Sequence, residues 1–187
     1  ADITVTGTAS FTATASDITL GDNGANNDTN FGSLTLNGVN ATVTEDSGTV
    51  FTGSSSLSGF LTLTSAGDIT DDANATIAVT GIASLTADNV GNTAAITLGD
   101  SGTDSVNFGQ LRVVSDLDTT ITENSGTDFT GSSVVGGSLT LTSAGNITDD
   151  ATADITVTGT ASFTATASGI TLGEQAGVRN SQVTVLA

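Results

Sequence analysis

The chain has 187 residues, with 20 Asp and Glu against 2 Lys and Arg, and it contains no His, Cys, Met, Trp, Tyr or Pro. Those absences exclude a Ser-His-Asp triad, a Cys-His pair, a Cys/His zinc site and a Schiff-base lysine, and a net charge of −18 argues against nucleic acid or an anionic membrane as a partner. Thr (37 residues) and Ser (21 residues) make up nearly a third of the chain, whereas the helix formers Lys, Glu and Gln are scarce, so the composition favours strand over helix.

The first segment, Ala1-Asp2-Ile3-Thr4-Val5-Thr6-Gly7 onward, carries strand-like alternation around Val5, Phe11 and Ile18, and residues 1–21 return almost unchanged at 153–173. The pattern continues through Phe31, Leu34 and Val43, then Phe51, Leu61 and Ile69, then Val79, Leu85 and Ile96. It goes on through Phe108, Leu111 and Ile121, then Phe129, Leu139 and Ile147, and ends with Val157, Phe163 and Ile170. All three series share one period of about 25 residues. Gly follows each first-series member closely, from Gly7 and Gly32 to Gly131 and Gly159. A longer repeat of roughly 74–78 residues overlies them. Phe51-Thr52-Gly53-Ser54-Ser55 returns at Phe129–Ser133, and Leu61–Gly67 returns at Leu139–Gly145. The copies are 1–74, 75–152 and a partial third at 153–187.

In Phe11-Thr12-Ala13-Thr14-Ala15 the apolar side chains point one way and the Thr pair the other. A strand this short cannot bury its apolar face alone, but stacked coils can. The expectation is an all-β fold, a single parallel β-solenoid over 1–187. It is a three-sided β-helix of about seven turns, with about 25 residues per turn and three turns per long repeat. Leu85 is expected in the core between Leu61 and Leu111, with Phe31 over Phe51 and Phe108 over Phe129. The series glycines are expected at corners that need positive φ or close approach. No apolar run reaches the length of a membrane span, so membrane insertion is not expected.

The phrase Gly59-Phe60-Leu61-Thr62-Leu63-Thr64-Ser65-Ala66-Gly67-Asp68-Ile69-Thr70 resembles the repeats of filamentous-haemagglutinin-type adhesins and related giant bacterial surface proteins. The resemblance implies a right-handed β-helix, a secreted or surface-attached protein, and a role in attachment or matrix.

Acids recur after each third-series strand, the one built on Ile18, Val43 and Ile69: Asp22, Glu45-Asp46, Asp71-Asp72, Asp100, Glu123, Asp149-Asp150 and Glu174. Carboxylates repeated at one corner repel, and bound Ca²⁺, salt screening, protonation or side chains splayed into solvent would each relieve it; of these, Ca²⁺ takes oxygen ligands only. Glu45, Asp46, Asp71, Asp72, Glu123, Asp149 and Asp150 are the candidate ligands, against the plainer reading of Asp and Asn as turn residues. A two-carboxylate glycosidase fits poorly, because a motif repeated at every level is not one catalytic site and the chain has almost no cationic residue to hold an acidic polysaccharide. The Thr series Thr19, Thr44, Thr70, Thr97, Thr122, Thr148 and Thr171 suggests an ice-binding face, but the positions two before it (Asp17, Thr42, Asp68, Ala95, Thr120, Asn146, Gly169) break the second rank. The four Asn-x-Ser/Thr sequons, at Asn27, Asn40, Asn74 and Asn146, match the number expected by chance.

The polar insertions Gly21–Asn30 and Gly99–Asn107 are the expected places of partner contact. The sequence leads to a non-enzymatic extracellular adhesin, stalk, sheath or filament segment, with a Ca²⁺-dependent carbohydrate- or surface-binding module as the alternative and ice binding behind both. Ala1–Gly21 copies an internal segment, and Gln182-Val183-Thr184-Val185 resembles Gln110-Leu111-Arg112-Val113. Both ends are therefore expected to offer open sheet edges, either continuing in a longer solenoid or stacking end to end.

Overall fold

Thr alternating with Leu, Ile, Val or Phe in short runs dictates strands too short to stand alone, and stacking is their way to bury an apolar face. The computed structural model, which describes residues 2–21, 29–167, 169–173, 179–180 and 183–186, shows how the stack is built. Strands β1 (Ile3–Thr12) and β2 (Ile18–Leu20) form one coil, and β3 (Thr29–Gly38) and β4 (Ala41–Glu45) the next. Then come β5 (Thr49–Phe51), β6 (Ser54–Leu57) and β7 (Leu61–Ser65), followed by β8 (Ile69–Asp71) with β9 (Thr76–Ala87), and β10 (Ile96–Leu98) with β11 (Ser105–Ser115). The following coils are β12 (Thr119–Glu123), β13 (Thr127–Phe129) and β14 (Ser132–Val135), then β15 (Leu139–Ser143), β16 (Ile147–Asp149) and β17 (Asp154–Val157). After β18 (Ala161–Ala165), β19 (Ile170–Thr171) and β20 (Arg179–Asn180), β21 (Val183–Leu186) opens another coil. From β3 to β20 this makes about seven turns, and among the described residues there is no helix.

The pairings are parallel and fall on three faces. Face one stacks β5, β8, β10, β12, β15, β18 and β21. Face two stacks β6 and the first halves of β9 and β11, then β13, which pairs with β11 at Leu111 just past the bulge, and then β16 and β19. Face three stacks β2, β4, β7, the second halves of β9 and β11, then β14, β17 and β20. The long strands β9 and β11 run around one corner without a break. Strand β3 does the same between faces one and two, pairing with β5 at Leu34 and with β6 at Asn37.

The pitch is shorter than expected. The face-one column runs Thr49, Ile69, Ile96, Thr119, Leu139, Ala161, Val183. Its steps average about 22 residues per coil, not 25. The difference has a definite cause. A long repeat holds ten strand segments, not nine, because Ser54–Leu57 and its copy Ser132–Val135 are strands, although Ser-rich stretches beside a glycine resemble a corner. Ten segments on a three-sided coil are three and one-third turns, so each copy of the long repeat is rotated by one face. The repeated phrase that forms β5 on face one thus forms β13 on face two, and Leu61–Ser65 on face three returns as Leu139–Ser143 on face one.

The register within each face also differs from the expected one, by two residues at Leu85 and by three at Phe51 and Phe129. Leu85 is fully buried, but between Leu63 and Val113, while Leu61 and Leu111 flank Ala83. Phe51 lies over Leu34 and Phe129 over Leu111, so Phe31 does not stack on Phe51 nor Phe108 on Phe129. The aromatic contacts are instead edge-on, Phe11 to Phe31 at 5.4 Å and Phe129 to Phe163 at 6.2 Å between centroids. The core is one continuous column of Leu, Ile, Val, Phe and Ala from Ala9 to Ala165. The glycine corners divide between the two expected causes except at Gly7, which has neither a positive φ nor a close neighbour. Gly131 has φ of 60°, whereas at Gly109 a Cβ would lie 1.9 Å from the Thr80 carbonyl oxygen, so only Gly allows the bulge between β9 and β11.

Candidate functional site

The acid corner does not stack into one column, because the long repeat changes face. Glu45 ends β4 on face three and Glu123 ends β12 on face one, and both are buried. Each closes a polar bracket inside its corner. Glu45 Oε1 accepts the Phe31 N–H at 2.9 Å and the Ser47 hydroxyl at 3.2 Å, while Oε2 accepts the Thr49 hydroxyl at 2.5 Å. Glu123 repeats this with the Phe108 N–H at 2.7 Å, the Ser125 hydroxyl at 3.1 Å and the Thr127 hydroxyl. Burial pushes both carboxyls above their usual range, and the hydrogen bonds offset part of that shift.

The other predicted acids are also engaged in corner hydrogen bonds. Asp46 accepts the Thr29 N–H at 2.8 Å. Asp72 accepts the Thr52 hydroxyl at 2.5 Å and the Asn74 N–H at 3.1 Å, and its copy Asp150 accepts the Thr130 hydroxyl and the Thr152 N–H, each at 2.7 Å. These bonds hold both carboxyls below the usual range, led by Thr52 and Thr130 respectively. Asp149 accepts the Gly173 N–H on both oxygens, at 3.1 and 3.0 Å. Asp22, Glu174 and all but the ends of the Gly21–Asn30 insertion lie outside the described residues.

Only one group of three acids converges among the described residues: Asp71, Asp100 and Asp104, whose carboxylate oxygens lie within 4.8 Å of one another. Asp71 ends β8 and takes the Gly99 N–H at 3.0 Å from the coil above. Gly99 has φ of 69°, and a Cβ there would lie 2.2 Å from the Thr122 carbonyl oxygen, so this turn admits only Gly. The loop after it brings in exposed Asp100 and buried Asp104. Asp104 Oδ2 accepts the Ser101 N–H at 2.8 Å, but Oδ1 is buried without a partner. Charges at this separation repel by roughly 1 kcal/mol per pair in water and roughly 3–4 kcal/mol at an effective dielectric of 20. Burial, with the Asp104 and Asp100 charges behind it, pushes the Asp71 carboxyl up to about 6 despite the Gly99 N–H.

Asp71 and Asp100 belong to the acid series visible in the sequence; Asp104 does not. Its signal is the short spacing Asp100-Ser101-Gly102-Thr103-Asp104 inside an insertion, which lets one loop return a second carboxylate to the same corner. A shallow groove on the bulge, lined by Ala78, Val79, Thr80, Asn107, Phe108 and Gly109, carries no titratable side chain.

The Thr residues also depart from expectation. The expected single column survives only in pieces, Thr70 beside Thr97 and Thr148 beside Thr171, whereas Thr44 pairs with Thr64 and Thr122 with Thr142. Two ranks do form, on short stretches. On face three they are Thr42 and Thr44, Thr62 and Thr64, then Ser84 and Thr86. On face one they are Thr120 and Thr122, Thr140 and Thr142, then Ser162 and Thr164. On face three the next coil places Arg112 and Val114 at these positions.

A family model described as repeats of unknown function, DUF5649, matches residues 38–112 and again 116–185. The starts of the two matches are offset by the same interval that separates Phe51 from its copy Phe129. Neither the curated proteins nor the solved structures contain a match to the chain.

Proposed function

The chain belongs to the DUF5649 family of repeats, and from that premise we propose that it is a non-enzymatic structural segment of an extracellular protein, a stiff spacer in an adhesin, stalk, sheath or filament. The observation that carries this reading is the rotation of the long repeat by one face per copy. A binding solenoid gains by repeating one chemistry along one face, so that contacts add. Here each face receives a given phrase only once in ten turns, and the paired Thr ranks break after three coils on face three. What remains constant along the rod is its core and its corner hydrogen bonds, which set length and stiffness. The same rotation counts against an ice-binding face.

The acidic surface, net charge −18, suits a rod that stays soluble and does not pair sideways. Strand β1 pairs with β3 alone among the described strands, and end-to-end contact with a further coil through its other edge is part of the proposal. The decisive experiment is immunogold labelling of intact source cells with antibody raised against the chain. Label on the outer surface or on shed fibres is expected; label that appears only after permeabilisation overturns the proposal.

A further inference from the structure

We propose that Asp71, Asp100 and Asp104 form a Ca²⁺ site that ties the loop between β10 and β11 to the corner of the coil below. Three observations converge. The carboxylate oxygens lie within 4.8 Å of one another, and a Ca²⁺ ion with oxygens at about 2.3–2.6 Å spans about 4.6–5.2 Å between opposite ligands. The side chain of Asp104 is 7% exposed and its Oδ1 is buried with no hydrogen-bond partner. A buried carboxylate oxygen left bare is costly unless something binds it. Finally, among the described side chains no basic group is turned to the purpose: Arg112, on the strand that leaves this loop, donates to Ser84 Oγ at 3.0 Å on face three.

The donor chemistry selects the ion. The site is all oxygen, which suits Ca²⁺ or Mg²⁺ and disfavours Zn²⁺ and copper, whose sites are built from His and Cys. Mg²⁺ demands near-ideal octahedral geometry and keeps its waters, whereas Ca²⁺ accepts irregular sets of six to eight oxygens. Two of the carboxylates are fixed, one by the Gly99 N–H and one by the Ser101 N–H. The third, on Asp100, is exposed and completes the group from solvent. Asp149 shares the carboxylate-to-glycine bond of Asp71, through Gly173, but among the described residues no second and third acid joins it, so it serves as the internal control. The inference is independent of where the protein resides.

The test uses the full chain stripped of metal, titrated with CaCl₂ by calorimetry and followed by thermal unfolding. Wild type is expected to bind Ca²⁺ and to gain thermal midpoint with it. Asp100→Asn and Asp104→Asn are expected to weaken binding at the site by about tenfold or more, since each removes one of three charged ligands, while Asp149→Asn leaves it unchanged. If Asp104→Asn fails to fold, Asp100→Asn decides, because that side chain is exposed. Ca²⁺ binding that is absent, that survives Asp100→Asn undiminished, or that is matched by Mg²⁺ at the same concentrations overturns the proposal.

Discussion

Leu85 illustrates what one residue contributes to a coil this narrow. Its side chain is fully buried in the continuous core and has Leu63 below and Val113 above. Leu85→Ala is therefore expected to cost about 2–4 kcal/mol, measured by denaturant unfolding; a change within about 0.5 kcal/mol would be the signature of an exposed residue and would contradict the register. The buried glutamates act in the opposite sense from most acids. Glu45 and Glu123 have folded-state values raised by burial, so the native state holds their protons more tightly than the unfolded chain. Their contribution is fully present below the unfolded value of 4.5 and fades as pH rises through the folded values. Exposed Asp72 and half-buried Asp150, with lowered values, contribute above the unfolded value of 3.8 and lose that contribution as pH falls through their folded values. The thermal midpoint is expected to rise as pH is lowered from 7 toward about 4.5 and to fall again in stronger acid. Glu45→Gln with Glu123→Gln should reduce the rise, leaving the share supplied by Asp71, whose carboxyl burial pushes up to about 6. A midpoint that falls steadily from pH 7 downward would show that these brackets are stable as ions.

At the scale of the strand, β6 and β14 are the informative elements, since nothing in their hydrophobicity announces them. Ser54–Leu57 shows one large apolar residue, and Ser132–Val135 a Val pair. They hold their place by hydrogen bonding. Ser55 Oγ accepts the Leu36 N–H at 3.0 Å and Ser133 Oγ accepts the Val113 N–H at 3.1 Å, both buried. Ser133→Ala strands the Val113 N–H and is expected to cost about 1–3 kcal/mol, readable by urea unfolding, whereas Ser132→Ala, at an exposed position, should be nearly silent. Equal effects would show that Ser133 does not carry the bond. The same residues explain which parts of the architecture are legible in advance. Period-two alternation in Leu61–Ser65 or Thr119–Glu123 identifies a strand by pattern alone, and the short spacing of such strands identifies a coil. A strand made of Ser with one or two apolar residues has no such pattern. A count by alternation therefore misses one segment in ten, and that displaces the column order, the face of each acid and the company of Asp71. The convergence of Asp104 is illegible for another reason: it depends on how an insertion folds back, not on any periodicity.

For the molecule as a whole, a repeat of ten strand segments on a three-sided coil is modular in a way that can be tested by excision. Removing residues 51–128 joins Val50 to Phe129, and the phrase that follows, Phe129-Thr130-Gly131-Ser132-Ser133, copies Phe51-Thr52-Gly53-Ser54-Ser55. Phe129, which lies over Leu111, would take the place of Phe51 over Leu34, and Leu139–Ser143 would take the place of Leu61–Ser65 against β4. Every downstream strand moves by one face, yet meets the neighbour its sequence is built to meet, because inter-coil interfaces are local. The shortened chain is thus expected to fold cooperatively, with parallel-sheet circular dichroism, and to lose three and one-third coils, about 16 Å of rod at roughly 4.8 Å per coil. Small-angle scattering measures that length directly. Excising a single mean turn from the same starting point, Phe51 to Asp72, keeps the faces nominally in step but sets Ala73 against Leu34 and removes the strand that pairs with Thr49. That chain is expected to lose cooperativity. If instead the one-turn deletion folds well and the whole-repeat deletion does not, the coil obeys its own pitch rather than the repeat, and the rotation of one face per copy is wrong.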